Sequence, residues 1–405
     1  MHKVRLGAFN LLLDYPQYAK KVISRMLASL GDQVGWIALI WLVYHISGNP
    51  SSIGIVTLLY QVPQAIIRPF AGLVLDRYPR ARMMALTNIV VGILFIFIPL
   101  FASNDHVIAI DIITLMIGMF LPFDTTGVEA LTTELIPKDK LLQANFIGQS
   151  EWHVAYLLGP ALGGILISIL GSSCLLYADA GTFFLTAILL GTIKSKNPRL
   201  KQKRSSSIGT EFFSGLAYLR KRPALISLAF LTFMFNFFYG PYEVVLPYVS
   251  KALFSGPTSL GLLWTLFAIG AASGSFVFSL KPWRFSTAKS LLVIIILWGM
   301  ITLGFAYASS LLLASICTVI AGLIFSPWDA LVATARQNLV TLELQARVYG
   351  VTSSITMLGM PLGAWITGLL LPDYGTKMVM TIASVATIGL GLQGFTWSTF
   401  RQLDG

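Results

Sequence analysis

The sequence has 405 residues, 56% of them hydrophobic and 11% charged, against roughly 25% charged in an ordinary soluble domain. Its apolar residues fall in continuous blocks of about twenty, the length a helix needs to cross a hydrocarbon core of roughly 30 Å, which excludes a water-soluble globular class and, because the blocks do not alternate, a membrane β-barrel. The net charge of +11 is spread among the breaks between blocks, so it reads as a topology signal and not as a nucleic-acid footprint.

The chain opens with MHKVRLGAFNLLLDYPQYAK, which has positive charge and a short apolar run but no small-residue cleavage site. Residues 1–21 are therefore expected to form a retained cytoplasmic or interfacial arm. Membrane spans are predicted at 22–46, 51–75, 83–103, 107–130, 146–170 and 174–193, then at 224–247, 258–280, 287–308, 311–334, 348–370 and 376–398. The pattern predicts an all-α membrane protein of twelve transmembrane helices in two pseudo-symmetric six-helix bundles, 22–193 and 224–398, with a cytoplasmic tail at 399–405. Between the bundles, 194–223 is the only long polar stretch; within it Phe212, Phe213, Leu216 and Leu219 have the spacing of a short amphipathic helix over 209–220. Of the 28 Lys and Arg, 24 fall in alternate breaks. The opposite breaks hold Lys251 and Lys377, while Arg25 and Arg68 lie inside spans. Positive residues stay cytoplasmic, so both termini are expected on the inner side of a bacterial-type cytoplasmic membrane. Cys174 and Cys317 fall in spans of different halves, and no disulfide is expected between them.

An ionisable residue at membrane depth is costly unless it meets a cavity or a partner, which makes each one a candidate. In span 1, Arg25, Ser29, Asp32 and Trp36 share a face, as do Thr57, Gln61, Gln64 and Arg68 in span 2. Asp32, about ten residues into its span, is the first choice for a proton-coupling residue, since a buried carboxyl responds both to desolvation and to a nearby cation. A fixed ion pair holding helices together is the competing reading. Arg68 precedes Asp76 by about 12 Å along the helix. It could pair with Asp32 or Asp124, attract an anionic substrate group, or snorkel to the surface. Pro122-Phe123-Asp124 in span 4 echoes Pro327-Trp328-Asp329 in span 10, and Pro160 in span 5 echoes Pro361 in span 11. These ordered matches suggest duplicated halves. Asp124 and Asp329 then form a candidate pseudo-symmetric pair, or each simply satisfies backbone groups released by its proline. In span 7, Asn236, Tyr239 and Glu243 make another polar stripe. Glu129, Glu134, Glu151, Arg336 and Arg347 fall towards cytoplasmic ends, where interfacial salt bridges are expected; Glu129 is retained as a further proton-coupling candidate. His153, four residues after Gln149, is a hydrogen-bonded histidine or a proton relay. No P-loop and no Cys/His spacing suited to a metal occurs, so neither an enzyme nor a self-contained ATP-driven pump is indicated, and no metal or organic cofactor is expected.

Between spans 2 and 3 the chain reads Gly72-Leu73-Val74-Leu75-Asp76-Arg77-Tyr78-Pro79-Arg80-Ala81-Arg82. This resembles the G-x-L-x-D-R-x-x-R-x-R signature of the major facilitator superfamily, at the loop where that family carries it. The resemblance implies a gate or conformational latch built from Gly72, Asp76, Arg77, Arg80 and Arg82, with Gly72 permitting close helix approach. Span 5 carries Gly159-Pro160-Ala161-Leu162-Gly163-Gly164, similar to the antiporter motif of the family's exporters, with Ala155 in place of the motif's first glycine. Helix packing without directional meaning explains the same residues. Glu134-Leu135-Ile136-Pro137-Lys138-Asp139-Lys140-Leu141 looks like the branch containing macrolide and siderophore exporters. The second-half loop Lys281-Pro282-Trp283-Arg284 lacks the signature's Gly and Asp, so a symmetric latch is not implied.

The resulting expectation is a secondary active transporter that exports an amphipathic small molecule against protons by alternating access, working as a monomer in the bilayer. Asp32, Asp124 and Glu129 would carry protons. Trp36, Tyr60, Gln61, Gln64, Arg68, Phe123, Asn236, Tyr239, Glu243, Trp328 and Asp329 would line the substrate cavity. Uptake of a nutrient or anion with Arg68 as ligand, or a non-transporting receptor or lipid-handling protein, stays open.

Overall fold

Lipid offers no hydrogen-bond partner to backbone N–H and C=O groups, so apolar segments of this length satisfy those groups internally as helices. The computed structural model describes residues 7–102, 106–194, 216–254, 256–279, 285–340 and 345–399, and every regular element among them is helical. In chain order these are α1 (Gly7–Asp14), α2 (Pro16–Ser47), α3 (Ser51–Arg77), α4 (Arg80–Leu100), α5 (Val107–Leu135), α6 (Leu141–Leu170) and α7 (Ser172–Gly191). There follow α8 (Pro223–Leu253), α9 (Pro257–Ser279), α10 (Thr287–Ala306), α11 (Leu311–Phe325), α12 (Trp328–Leu339), α13 (Gln345–Met357) and α14 (Gly359–Gly394). Among the described residues nine helical segments are long and apolar enough to cross a membrane, so the protein is a multi-pass membrane protein. The number twelve remains the reading of the sequence alone.

Local chemistry explains where helices start and stop. The first span begins at Pro16 rather than residue 22, with proline at the first helical position, where its missing N–H has no intrahelical partner to lose. Gly171, at φ 80°, ends α6 and opens α7, a left-handed conformation that favours glycine. Gly375, at φ 71°, interrupts α14 in the same way, close to the predicted break between the last two spans. The predicted tenth span is divided into α11 and α12, with Pro327 immediately before α12. Of the amphipathic helix expected over 209–220, residues 216–220 are helical and Leu216 and Leu219 pack on Leu225, Val340 and Val348; 209–215 lie outside the described residues.

The helices bury one face and leave the other apolar and exposed. On α4 the exposed residues include Ile89, Ile93, Ile96 and Phe97, and on α5 Ile108, Ile112, Met116 and Met119. In water such helical stripes would be a liability, whereas in lipid they are the solvent-facing surface. Threonines within the spans return their hydroxyls to the carbonyl four residues back, as Thr114 does to Ile110 and Thr318 to Ala314, both at 2.8 Å.

The chain folds as two compact units, residues 1–46 with 66–205, and residues 47–65 with 206–405. The expected boundaries kept all of span 2 in the first half, whereas the segment 47–65 groups with the second unit. There Ser51 Oγ donates to the Gly368 carbonyl at 2.6 Å. In the first unit α4 packs against α5 and α7, with Met84, Leu131 and Leu190 in a shared apolar cluster. In the second, α8 packs on α14 and α9 on α11. Glycines let these backbones approach: a Cβ on Gly363 would collide with the Phe237 carbonyl, and one on Gly322 with that of Phe267.

Candidate functional site

The helical repeat places Lys21, Arg25, Ser29 and Asp32 along one face of α2, and the first unit closes that face with carboxylates from two other helices. Arg25 Nη1 lies 3.1 Å from Asp124 Oδ2 on α5 and its Nε 3.8 Å from Glu151 Oε1 on α6. Glu151 Oε1 also accepts from Ser29 Oγ at 3.1 Å. The second oxygen of Asp124 accepts from Asn88 Nδ2 on α4 at 2.8 Å, and the same amide donates to the Met84 carbonyl at 2.8 Å. Lys21, itself buried, borders the same cleft with Arg25, Asp124 and Thr186. Two cations and two carboxylates are thus removed from solvent together, an arrangement whose mutual attraction offsets a large desolvation cost only while every member is present. Asp32 lies two turns beyond Arg25, interacts electrostatically with Arg25 and Asp124, and keeps Oδ1 buried with no hydrogen-bond partner.

This geometry revises several sequence expectations. Asp124 is held by Arg25 and Asn88, so its carboxylate does not serve backbone groups freed by Pro122, and the cation paired with it is Arg25 rather than Arg68. Arg68 is exposed. Glu151 is buried inside the unit, not an interfacial residue. Glu134 does form a salt bridge, at 3.5 Å to Arg80 Nη1, but with both side chains nearly inaccessible. Arg80 Nη1 also donates to the Ala130 carbonyl at 3.1 Å; it clamps α4 to α5, whereas Arg77 and Arg82 are exposed. Among the described residues a Cβ on Gly72 would meet only Thr126 Cγ2, at 3.9 Å, so these show no close helix approach there. The side chains of Asp76, Glu129, His153 and Arg347 lie outside the described residues. The motif glycines of α6 do pack tightly: a Cβ on Gly159 would collide with Gln33 Cβ, and one on Gly163 would touch Ile37 Cβ at 3.4 Å. Pro160 and Gly164 are buried beside them. These contacts seat α6 on the stretch of α2 that carries Asp32.

In the second unit, of the aromatic residues assigned to a cavity, Trp328 is core, whereas Tyr239 is half-buried. Trp328 is 2% exposed and 4.2 Å from the Phe235 ring; Tyr239 stacks on Trp298 at 5.3 Å. Asn236 Nδ2 donates to the Thr356 carbonyl at 2.9 Å, and Gln64 Nε2 to the carbonyl of Tyr60, also at 2.9 Å. Glu243 is buried, whereas Trp36, Tyr60, Gln61 and Phe123 are half-buried. Asp329 is exposed in the first turn of α12, where a carboxylate favours the positive end of the helix dipole. Asp124 and Asp329 therefore occupy unlike environments despite the repeat. Sequence reasoning passed over Lys21, Asn88 and Asp179; all three carried the signal of a polar group near or within a span.

The family model described as Major Facilitator Superfamily matches residues 22–334. Over 95% of this chain and 96% of its own length, the multidrug efflux pump Tap of Mycolicibacterium fortuitum is 22% identical. Macrolide efflux protein A of Streptococcus pyogenes is 22% identical over 91% of this chain and 92% of its own. Among solved structures, the nucleoside transporter NupG superimposes with a TM-score of 0.74 at 14% identity, covering 94% of this chain and 98% of that one. A bacterial homologue of the human lysosomal transporter Spinster does so with a TM-score of 0.72 at 16% identity, covering 96% and 97%.

Proposed function

The chain belongs to the major facilitator superfamily, and on that basis we propose that this transporter exports amphipathic small molecules in exchange for protons, by alternating access, in a bacterial inner membrane with both termini cytoplasmic. The observation that carries the reading is the buried network of Arg25, Asp124 and Glu151 with Asp32 beside it. An acid at membrane depth that keeps an unpartnered oxygen next to an occupied ion-pair network is suited to gaining and losing a proton as its surroundings change. Asp32 is the exchanging group in this reading. Arg25, with Asp124, sets the field it experiences. The export direction is supported by full-length similarity to multidrug and macrolide efflux proteins and by the exporter-type motif whose glycines pack α6 against Gln33 and Ile37.

The test is substrate-dependent proton movement in proteoliposomes holding wild-type protein or Asp32→Asn, with lipophilic cations, macrolides and siderophores as the panel. Proton flux driven by a panel compound in wild type and lost in the variant is the expected result. Flux that survives the substitution removes Asp32 from the mechanism, and no flux with any compound removes proton-coupled export.

A further inference from the structure

Asp179, on α7, is 2% exposed. Thr182 Oγ1 donates to the Asp179 carbonyl at 2.8 Å and shares that proton with Asp179 Oδ1 at 3.2 Å, while Oδ2 is buried with no hydrogen-bond partner. The carboxyl fills space that side chains on α2 would otherwise occupy. A Cβ on Gly35 would collide with Asp179 Oδ2, and one on Gly31 with Thr182 Oγ1 and Asp179 Oδ1. Two glycines one turn apart thus open a notch in α2 that admits an acid from α7. Asp32 adjoins Gly31 in the chain and precedes Gly35 by less than one turn, so it borders the same notch. Its Oδ1 is likewise buried and unpartnered, and the two carboxyls interact electrostatically.

Among the described residues, Arg25, Lys21, Arg80 and Lys20 on the elements around α7 are engaged elsewhere, and Arg82 on α4 is exposed. Arg25 on α2 pairs with Asp124 of α5 and Glu151 of α6, and Lys21 borders that cleft with them. On α4, Arg80 bonds Glu134 and Ala130, and the face against α7 presents Gly92 to Phe183 and Phe184. Lys20 Nζ reaches Thr192 Oγ1 just beyond the end of α7, at 3.2 Å. Two carboxylates bordering one notch, Asp179 buried and Asp32 half-buried, repel each other. A single proton between them removes one charge and gives an orphan oxygen a donor.

We propose that Asp179 is a second carrier of the transported proton, sharing it with Asp32 across the notch formed by Gly31 and Gly35, so that the coupling site is a two-carboxyl pair. This rests on the proton-coupled reading of Asp32 and extends it to a second helix. In loading, an O–H bond of a hydronium ion breaks and an O–H bond forms on one carboxylate of the pair. Transfer between the two carboxyls conserves that proton, and release to water restores both carboxylates without any electron changing owner.

The test is the infrared carboxylic-acid carbonyl band of lipid-reconstituted protein, titrated between about pH 5 and 9, taken as the difference between wild type and each of Asp32→Asn and Asp179→Asn. A strongly interacting pair titrates in two macroscopic steps more than about one pH unit apart. The expected result is two steps in wild type and one in each variant. Thr182→Val, which keeps the carboxyl but removes its donor, should displace a step in wild-type background and serves if Asp179→Asn does not fold. A single step that Asp32→Asn abolishes and Asp179→Asn or Thr182→Val leaves at its wild-type midpoint overturns the pair while leaving the reading of Asp32 intact. A band indifferent to Asp32→Asn overturns both.

Discussion

Replacing Arg25 by Gln isolates the buried network, and the structure fixes how much it should cost. An exposed ion pair contributes only about 0–1 kcal/mol, but removing one partner of a buried pair leaves an uncompensated charge and costs about 3–5 kcal/mol. The side-chain exposures are 19% for Arg25, 5% for Asp124 and 4% for Glu151. The groups left behind are therefore the more deeply buried ones, which places the loss within the buried range. Asp124 should account for most of it, because its Oδ2 loses a 3.1 Å hydrogen bond and only Oδ1 keeps a donor, Asn88, whereas Glu151 Oε1 stands 3.8 Å from Arg25 and itself keeps its bond from Ser29. Thermal unfolding in detergent, followed by tryptophan fluorescence, should show a lowered midpoint for Arg25→Gln. In a double-mutant cycle, adding Asp124→Asn should recover part of the loss, with a coupling energy in the range of about 0.5–3 kcal/mol. Glu151→Gln should recover less. A loss below about 1 kcal/mol, the surface value, or strict additivity of Arg25→Gln and Asp124→Asn, would refute the claim that these charges are desolvated together.

Three further substitutions follow from packing. Trp328→Ala should destabilise the protein by about 3–5 kcal/mol, as truncation of a fully buried aromatic does, and should act through stability rather than through substrate affinity; unfolding and binding measured side by side separate the two. Gly35→Val should cost about 1–3 kcal/mol from overpacking, because its Cβ would contest the position of Asp179 Oδ2, and wild-type stability in that variant would mean the notch is not tightly filled. Gly72→Ala should be neutral or stabilising by up to about 1 kcal/mol, since among the described residues the new methyl meets only Thr126 Cγ2, at 3.9 Å, and alanine suits a helix interior better than glycine. A clear loss of thermal stability would show that the glycine is needed for packing after all.

Fold class was legible in the bare chain because the solvent constraint is local. A run of about twenty apolar residues has few structural options in lipid, and the helices α3, α4, α5 and α7 fall close to the predicted spans for that reason. The family was legible too, since the Gly72–Arg82 and Gly159–Gly164 signatures are contiguous in the chain. Candidate acids could be found residue by residue from their cost at membrane depth, as Asp32 was. Their partners could not, because an ion pair between α2 and α5 joins residues about a hundred positions apart and nothing in the local pattern selects Arg25 over Arg68 for Asp124. Equal motifs also took unequal environments. Asp124 lies within a continuous helix and is buried, whereas Asp329 follows a helix break and is exposed. Which aromatics are core, as Trp328 is, and that Asp179 enters α2 between two glycines, are properties of side chains meeting across helices. Periodicity in one chain segment places a residue on a face; only the packed neighbours decide what that face touches.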